Sequence, residues 1–135
     1  MGNRAPPAEA SRDNIMISDR IPLPRPEYPR PQFSRSEWLN LNGEWTFEFD
    51  HGKSGQEAGR ALYTSRGFDS SILVPFCPES RLSGVGYTDF IECLWYHRSF
   101  TIPESWNGKT IHLHFGAVDY ESEVFVDGEP AGRHF

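Results

Sequence analysis

The side chains that can do chemistry in this 135-residue chain are chiefly acidic: 19 Asp and Glu against 13 Lys and Arg, with five His and two Cys. Paired carboxyl groups can act as general acid and base or as acid and nucleophile, so Glu44/Glu48 and Glu121/Glu123, each pair sharing a strand face, are the first to weigh. Like charges two or four apart on a solvent-facing side more often serve hydration, and no catalytic role is assigned to either pair. His112 and His114, two apart on one strand face, have the spacing of a metal pair, but no third donor accompanies them and a polar outer face is the favoured reading. No metal or other cofactor site is visible in the residues. Arg98 falls in phase with Tyr96 and Phe100 on an apolar side. A buried guanidinium there needs a carboxylate or several carbonyls, and Asp119 or Asp69 is the expected partner. The loop Ser83-Gly84-Val85-Gly86-Tyr87-Thr88-Asp89-Phe90 combines tight-turning glycines with a stacking ring and an acid, chemistry suited to hydroxyl-rich ligands. Tyr87 and Asp89 are its candidate binding residues, set against a plain structural loop.

The elements that must position these groups read as short strands. Trp45, Phe47 and Phe49 alternate with Glu44, Thr46 and Glu48 after an Asn42-Gly43 turn, the pattern of a half-buried strand. Leu94 to Ile102 and Thr110 to Ala117 alternate likewise, the latter with Ile111, Leu113, Phe115 and Ala117 facing in. Val124-Phe125-Val126 runs into Asp127-Gly128, a hairpin dipeptide. Ile72-Leu73-Val74 is a short apolar run stopped by Pro75, and Gly55 to Leu62 is the single helical candidate. Trp106 sits in a turn, where it is expected to cap an end of the fold. Short strands with turn chemistry between them predict an all-β antiparallel sandwich.

Two parts are expected. Residues 1–33 form a Pro/Arg-rich leader, in part disordered, whose Pro22 to Pro31 favour extended backbone. Ile21 to Phe33 reads as a strap along a partner surface, with a proline-motif ligand as the sharper alternative. Residues 34–135 form the sandwich. A net charge of −6 argues against nucleic-acid and anionic-membrane partners. No apolar run approaches the roughly 20 residues that span a bilayer. The first residues show no secretory pattern, so a cytoplasmic location and free, buried thiols at Cys77 and Cys93 are expected rather than a disulfide.

Five segments then resemble, in order, the N-terminal sugar-binding-like jelly-roll domain of family 2 glycoside hydrolases, the family of β-galactosidases, β-glucuronidases and β-mannosidases. They are Leu41-Asn42-Gly43-Glu44-Trp45-Thr46-Phe47, Val74-Pro75-Phe76-Cys77-Pro78-Glu79-Ser80, Leu94-Trp95-Tyr96-His97-Arg98-Ser99-Phe100, Leu113-His114-Phe115-Gly116-Ala117-Val118-Asp119 and Val124-Phe125-Val126-Asp127-Gly128. His97 stands where the family has an arginine, and Asp127 where it has an asparagine. The resemblance, from about Pro29 to Phe135, implies a galactose-binding-like jelly roll that buttresses a catalytic barrel. Trp45, Tyr96, Arg98 and Asp119 are expected to be structural within it. It further implies that a β-glycoside is the ligand of the full enzyme, that the loop before the Leu94 strand reaches toward the sugar, and that a homo-oligomer is in keeping. The catalytic glutamates of that family come from a barrel further along the chain, so these residues alone are expected to be inactive. The family pattern continues with a Gly-Gly turn and more strands, so the jelly roll is expected to be incomplete, with an open edge prone to self-association. A free-standing carbohydrate-binding module and a purely architectural domain are the competing readings.

Overall fold

A computed structural model describes residues 22–57 and 67–135. The expected disorder of the first dozen residues, the absence of a secretory pattern there and the helical stretch from residue 58 to Leu62 lie outside the described residues. The chain is all-β with antiparallel sheets, as the sandwich reading requires, and among the described residues the one α-helical turn is α1, Ser54–Glu57. A three-stranded sheet has the order β2 (Ser70–Val74), β1 (Gly43–Phe49), β3 (Leu94–His97). A hairpin of β4 (Ser122–Val126) and β5 (Glu129–His134) forms the second sheet. No helix among the described residues is long and apolar enough to cross a membrane.

The central strand β1 behaves as its alternation requires. Phe47 is buried and Trp45 and Phe49 half-buried, while Glu44 and Glu48 are exposed. Antiparallel pairing sets Trp45 opposite Ile72 on one side and Phe47 opposite Tyr96 on the other. Directly opposed side chains on one face lie within packing reach, so the register itself gathers the apolar groups. Among the described residues, Ile72, 1% exposed, and Phe47, 4%, are the buried hydrophobic ones. Tyr96 packs edge-on to Trp45 with centroids 6.5 Å apart and lies 6.4 Å from Phe47.

The opposite side of β1 is held by polar bonds. Thr46, expected to face solvent, is half-buried because its hydroxyl donates to the carbonyl of His97 at 3.3 Å and accepts from the amide of Phe68 at 3.1 Å. Pro24 and Arg25 are held to the segment just before β1. Asn42 Nδ2 donates to the carbonyl of Pro24 at 3.1 Å and Asn40 Nδ2 to that of Arg25 at 3.0 Å. Proline-rich backbone has carbonyls to spare because its ring nitrogens donate nothing, which makes it a natural acceptor for such amides.

Two expected strands differ. Thr110 to Ala117 is unpaired and exposed throughout, with Ile111 at 45%, Leu113 at 41% and Phe115 at 50%. Alternation marks the side a strand would bury, but a strand exists only where a neighbour takes its backbone N–H and C=O groups. Nor does Leu94 to Ile102 continue as one strand: β3 ends at His97, and Phe100 and Ile102 stay exposed. Asp127-Gly128 does form the hairpin turn between β4 and β5, both residues at positive φ. Trp106 is half-buried in a 3-10 turn.

With so few hydrophobic side chains fully buried, each counts heavily. Ile72→Ala is expected to lower unfolding free energy by about 2–5 kcal/mol through lost burial and a residual cavity. Urea denaturation followed by tryptophan fluorescence measures it, and an unchanged midpoint would contradict a core built on Ile72 and Phe47.

Candidate functional site

The candidate site lies where β1 runs out and the loop of residues 80–90 folds against it. Val74–Pro75 is a cis bond, after which the amide of Phe76 donates to the carbonyl of Leu73 and that of Ser80 to Cys77. A 3-10 turn, Arg81–Ser83, is capped by the Ser80 hydroxyl, which accepts from the amide of Leu82 at 3.2 Å. Ser83, 2% exposed, donates its hydroxyl to the carbonyl of Ser80 at 2.7 Å and accepts from the amide of Val85 at 3.1 Å. Gly84 and Gly86 carry positive φ, 83° and 67°, which side-chain-bearing residues adopt only with strain. The amide of Tyr87 then closes the loop onto the carbonyl of Pro78 at 2.9 Å. A loop with its polar groups tied internally in this way holds a fixed shape without sheet pairing.

That shape sets Tyr87 on Phe49, ring centroids 4.5 Å apart, while His51 stacks nearly parallel on Phe49 at 5.6 Å. Phe49 also meets Phe47 edge-on at 5.2 Å, so an aromatic row runs from the sheet core out to the loop. Phe49 and Tyr87 are half-buried and His51 is exposed. Asp89, two residues on, is exposed beside Phe90, which is 83% exposed. Half-buried rings with an exposed carboxylate nearby can stack on an apolar sugar face and accept from hydroxyls. The four expected structural residues are spread more widely. Trp45 and Tyr96 share the aromatic face, whereas Asp119 is exposed in the loop before β4.

Tyr96 keeps its phenol proton throughout the neutral range: burial, then the nearby charges of Glu79 and Cys77, push it up to about 12. Arg98 departs from expectation. Its Nη1 donates to the backbone carbonyl of Glu44, and neither Asp119 nor Asp69 forms an ion pair with it. Asp119 lies in the exposed loop before β4 and is not drawn to the guanidinium. The cysteines are free thiols; Cys77 is exposed rather than buried, and Cys93 is half-buried, its thiol raised by burial and by the charge of Asp50. No group of three or more metal-ligating side chains occurs among the described residues, and His112 and His114 lie 6.0 Å apart, ring to ring.

Sequence reading missed the residue that anchors the site. Asp50, 6% exposed, ends β1 and receives four donors: the Ser54 amide at 2.8 Å, its hydroxyl at 2.9 Å, the Gly55 amide at 2.9 Å and the indole Nε1 of Trp95 at 2.9 Å. Its own amide donates to the carbonyl of Cys93. Burial alone would raise the Asp50 carboxyl, but the bonds from Trp95, Gly55 and Ser54 outweigh it and hold the group below its ordinary value. Asp50 thereby fixes the turn that carries His51 toward Tyr87. Gly55 is required beneath it, since a Cβ there would lie 2.7 Å from the Trp95 ring. No local spacing marks Asp50, because the amides it binds lie four and five residues on, past the two or three that an N-cap side chain reaches, and its indole donor is 45 residues away.

Known family models give no match to this chain. Among curated proteins it is 26% identical over 110 residues to a β-glucuronidase of Paenibacillus borealis, covering 79% of this chain and 18% of that protein. It is 25% identical over 107 residues to a β-glucuronidase of Streptococcus agalactiae, covering 79% of this chain and 16% of the relative. A shorter match, 38% over 40 residues, joins 30% of the chain to 5% of a β-galactosidase of Thermoanaerobacter pseudethanolicus. The chain thus spans less than a fifth of the length of either β-glucuronidase.

Removing the Asp50 carboxylate orphans the donors gathered on it, so Asp50→Ala is expected to cost about 1–3 kcal/mol in urea unfolding. Gly55→Ala is expected to destabilise through the Trp95 ring, read by a shifted tryptophan emission. Because the folded Asp50 carboxyl sits below its unfolded value near 3.8, its contribution is complete above that pH and fades as pH falls through the lower folded value. An acid titration of wild type against Asp50→Asn checks this: the variant is expected to lose stability less steeply in that window.

Proposed function

We propose that residues 34–135 are the N-terminal, non-catalytic jelly-roll domain of a family 2 glycoside hydrolase acting on β-linked sugars, with residues 1–33 as its leader. The observation that carries this reading is the similarity to two β-glucuronidases along 79% of the chain, in a region that is under a fifth of each relative. Support comes from the all-β antiparallel build and from the order of the five motifs along it. Hydrolysis of a glycosidic bond takes two carboxyl groups on either side of it. Those of this enzyme belong, on this reading, to a barrel outside the 135 residues. The work of this domain is to buttress that barrel and to extend the loop carrying Tyr87 and Asp89 toward the sugar subsite.

A free-standing carbohydrate-binding module is the second reading, favoured by one observation: the half-buried Tyr87 and Phe49 rings in contact, with His51 exposed against Phe49 and Asp89 exposed two residues after Tyr87. The two part company in the gene. Reading the frame beyond the Phe135 codon is expected to reveal further strands and a barrel with its pair of glutamates; an immediate stop would sink the first reading. In that longer product, Tyr87→Ala is expected to lower kcat/KM for a β-glucuronide or β-galactoside by about 10–200-fold, the value of roughly 1–3 kcal/mol of pocket contact. Unchanged kinetics would remove Tyr87 from the sugar site.

A further inference from the structure

Arg98 is the group whose chemistry the fold leaves unfinished. A guanidinium offers five N–H donors, and Arg98 gives one nitrogen, Nη1, to the carbonyl of Glu44. Its Nε is sealed from solvent with no acceptor. Gly43 makes room for it: at φ 116° it lacks the Cβ that would stand 3.3 Å from Nη1. The guanidinium lines a cleft of about 560 Å³ together with Leu23, Asn42, Thr46, His97 and Ser99. That volume falls within the range of small-molecule sites, roughly 300–1,000 Å³. Among the described residues no ion pair reaches Arg98; the Glu44 side chain, which also borders the cleft, is exposed and unpaired with it. A half-buried guanidinium without an anion is costly, and its planar fork matches a carboxylate in two parallel bonds.

We propose that the Arg98 cleft is a carboxylate-binding site. Arg98 supplies the charge and the fork, Gly43 the space, and the polar side chains of Asn42, Thr46, His97 and Ser99 line its walls. Leu23, from the leader that Asn40 and Asn42 hold down, covers one side. Two sources carry the same chemistry: the side chain of an Asp or Glu from a packing segment, and a free sugar acid. The sugar-acid source rests on the glycosidase reading; the carboxylate site itself does not.

The test is a titration of the ¹⁵N-labelled chain at fixed ionic strength with sodium acetate, sodium glucuronate, glucose and sodium chloride. It reads the Arg98 Nε–H resonance, assigned through its own side-chain carbons, and the amides of Thr46, His97 and Gly67. A saturable shift with acetate and glucuronate alike, absent with glucose and chloride, supports the site and points to a side-chain carboxylate. Saturation with glucuronate at several-fold lower concentration than acetate supports it and points to a sugar acid. No saturable shift with either carboxylate, or an equal one with chloride, overturns the proposal whatever becomes of the glycosidase reading. Arg98→Lys keeps the charge and removes the fork. It is expected to lose the response at the three amides, and an undiminished response there would equally overturn the site.

Discussion

A strand that pairs on both edges must satisfy two neighbours at once, and β1 carries that constraint for the three-stranded sheet. Its register with β2 brings Ile72 to Trp45, and its register with β3 brings Tyr96 to Phe47. A slip of one residue by β2 would turn Ile72 outward, and one by β3 would turn Tyr96 away from Phe47. The aromatic row built on this register reaches Phe49 and, through it, Tyr87 and His51. The placement of the Tyr87 loop is therefore a consequence of strand pairing tens of residues away.

Asp50 couples the end of that strand to the helical turn after it. Its carboxylate binds the start of α1 and the indole of Trp95 on β3, so a single side chain joins β1, β3 and the turn between β1 and α1. Buried carboxylates are tolerated where several donors converge on them, and here the donors come from elements the sheet already holds close. Ser83 plays the corresponding part within the loop of residues 80–90, with its hydroxyl both donating and accepting. The two polar anchors flank the Phe49–Tyr87 contact, which gives a mobile-looking sequence of glycines and serines a definite form.

Elsewhere, the apolar side chains of residues 111–118 remain exposed, and among the described residues the hairpin of β4 and β5 pairs only with itself. The Arg98 guanidinium, bonded to the Glu44 carbonyl but to no anion among the described residues, follows the end of β3. Exposed apolar patches and an uncompensated charge both mark surfaces that binding would improve.

The amino-acid sequence by itself determined the elements whose pattern is local. The alternation of β1, the apolar run of β2, the Asp127-Gly128 turn and the glycines of the Tyr87 loop are all legible, because period two and positive φ are properties of adjacent residues. It also carried the five ordered motifs that the β-glucuronidase and β-galactosidase similarities accompany. Alternation over Thr110 to Ala117 misled, since it records a preferred face and not the presence of a hydrogen-bonding neighbour. Only the tertiary structure decided the role of Asp50, whose donors include Trp95, 45 residues away. The same holds for Arg98, given a backbone carbonyl 54 residues off rather than the carboxylate its burial demanded. Which donor meets which acceptor depends on strand register and loop closure, and neither is written in the spacing of residue types along the chain.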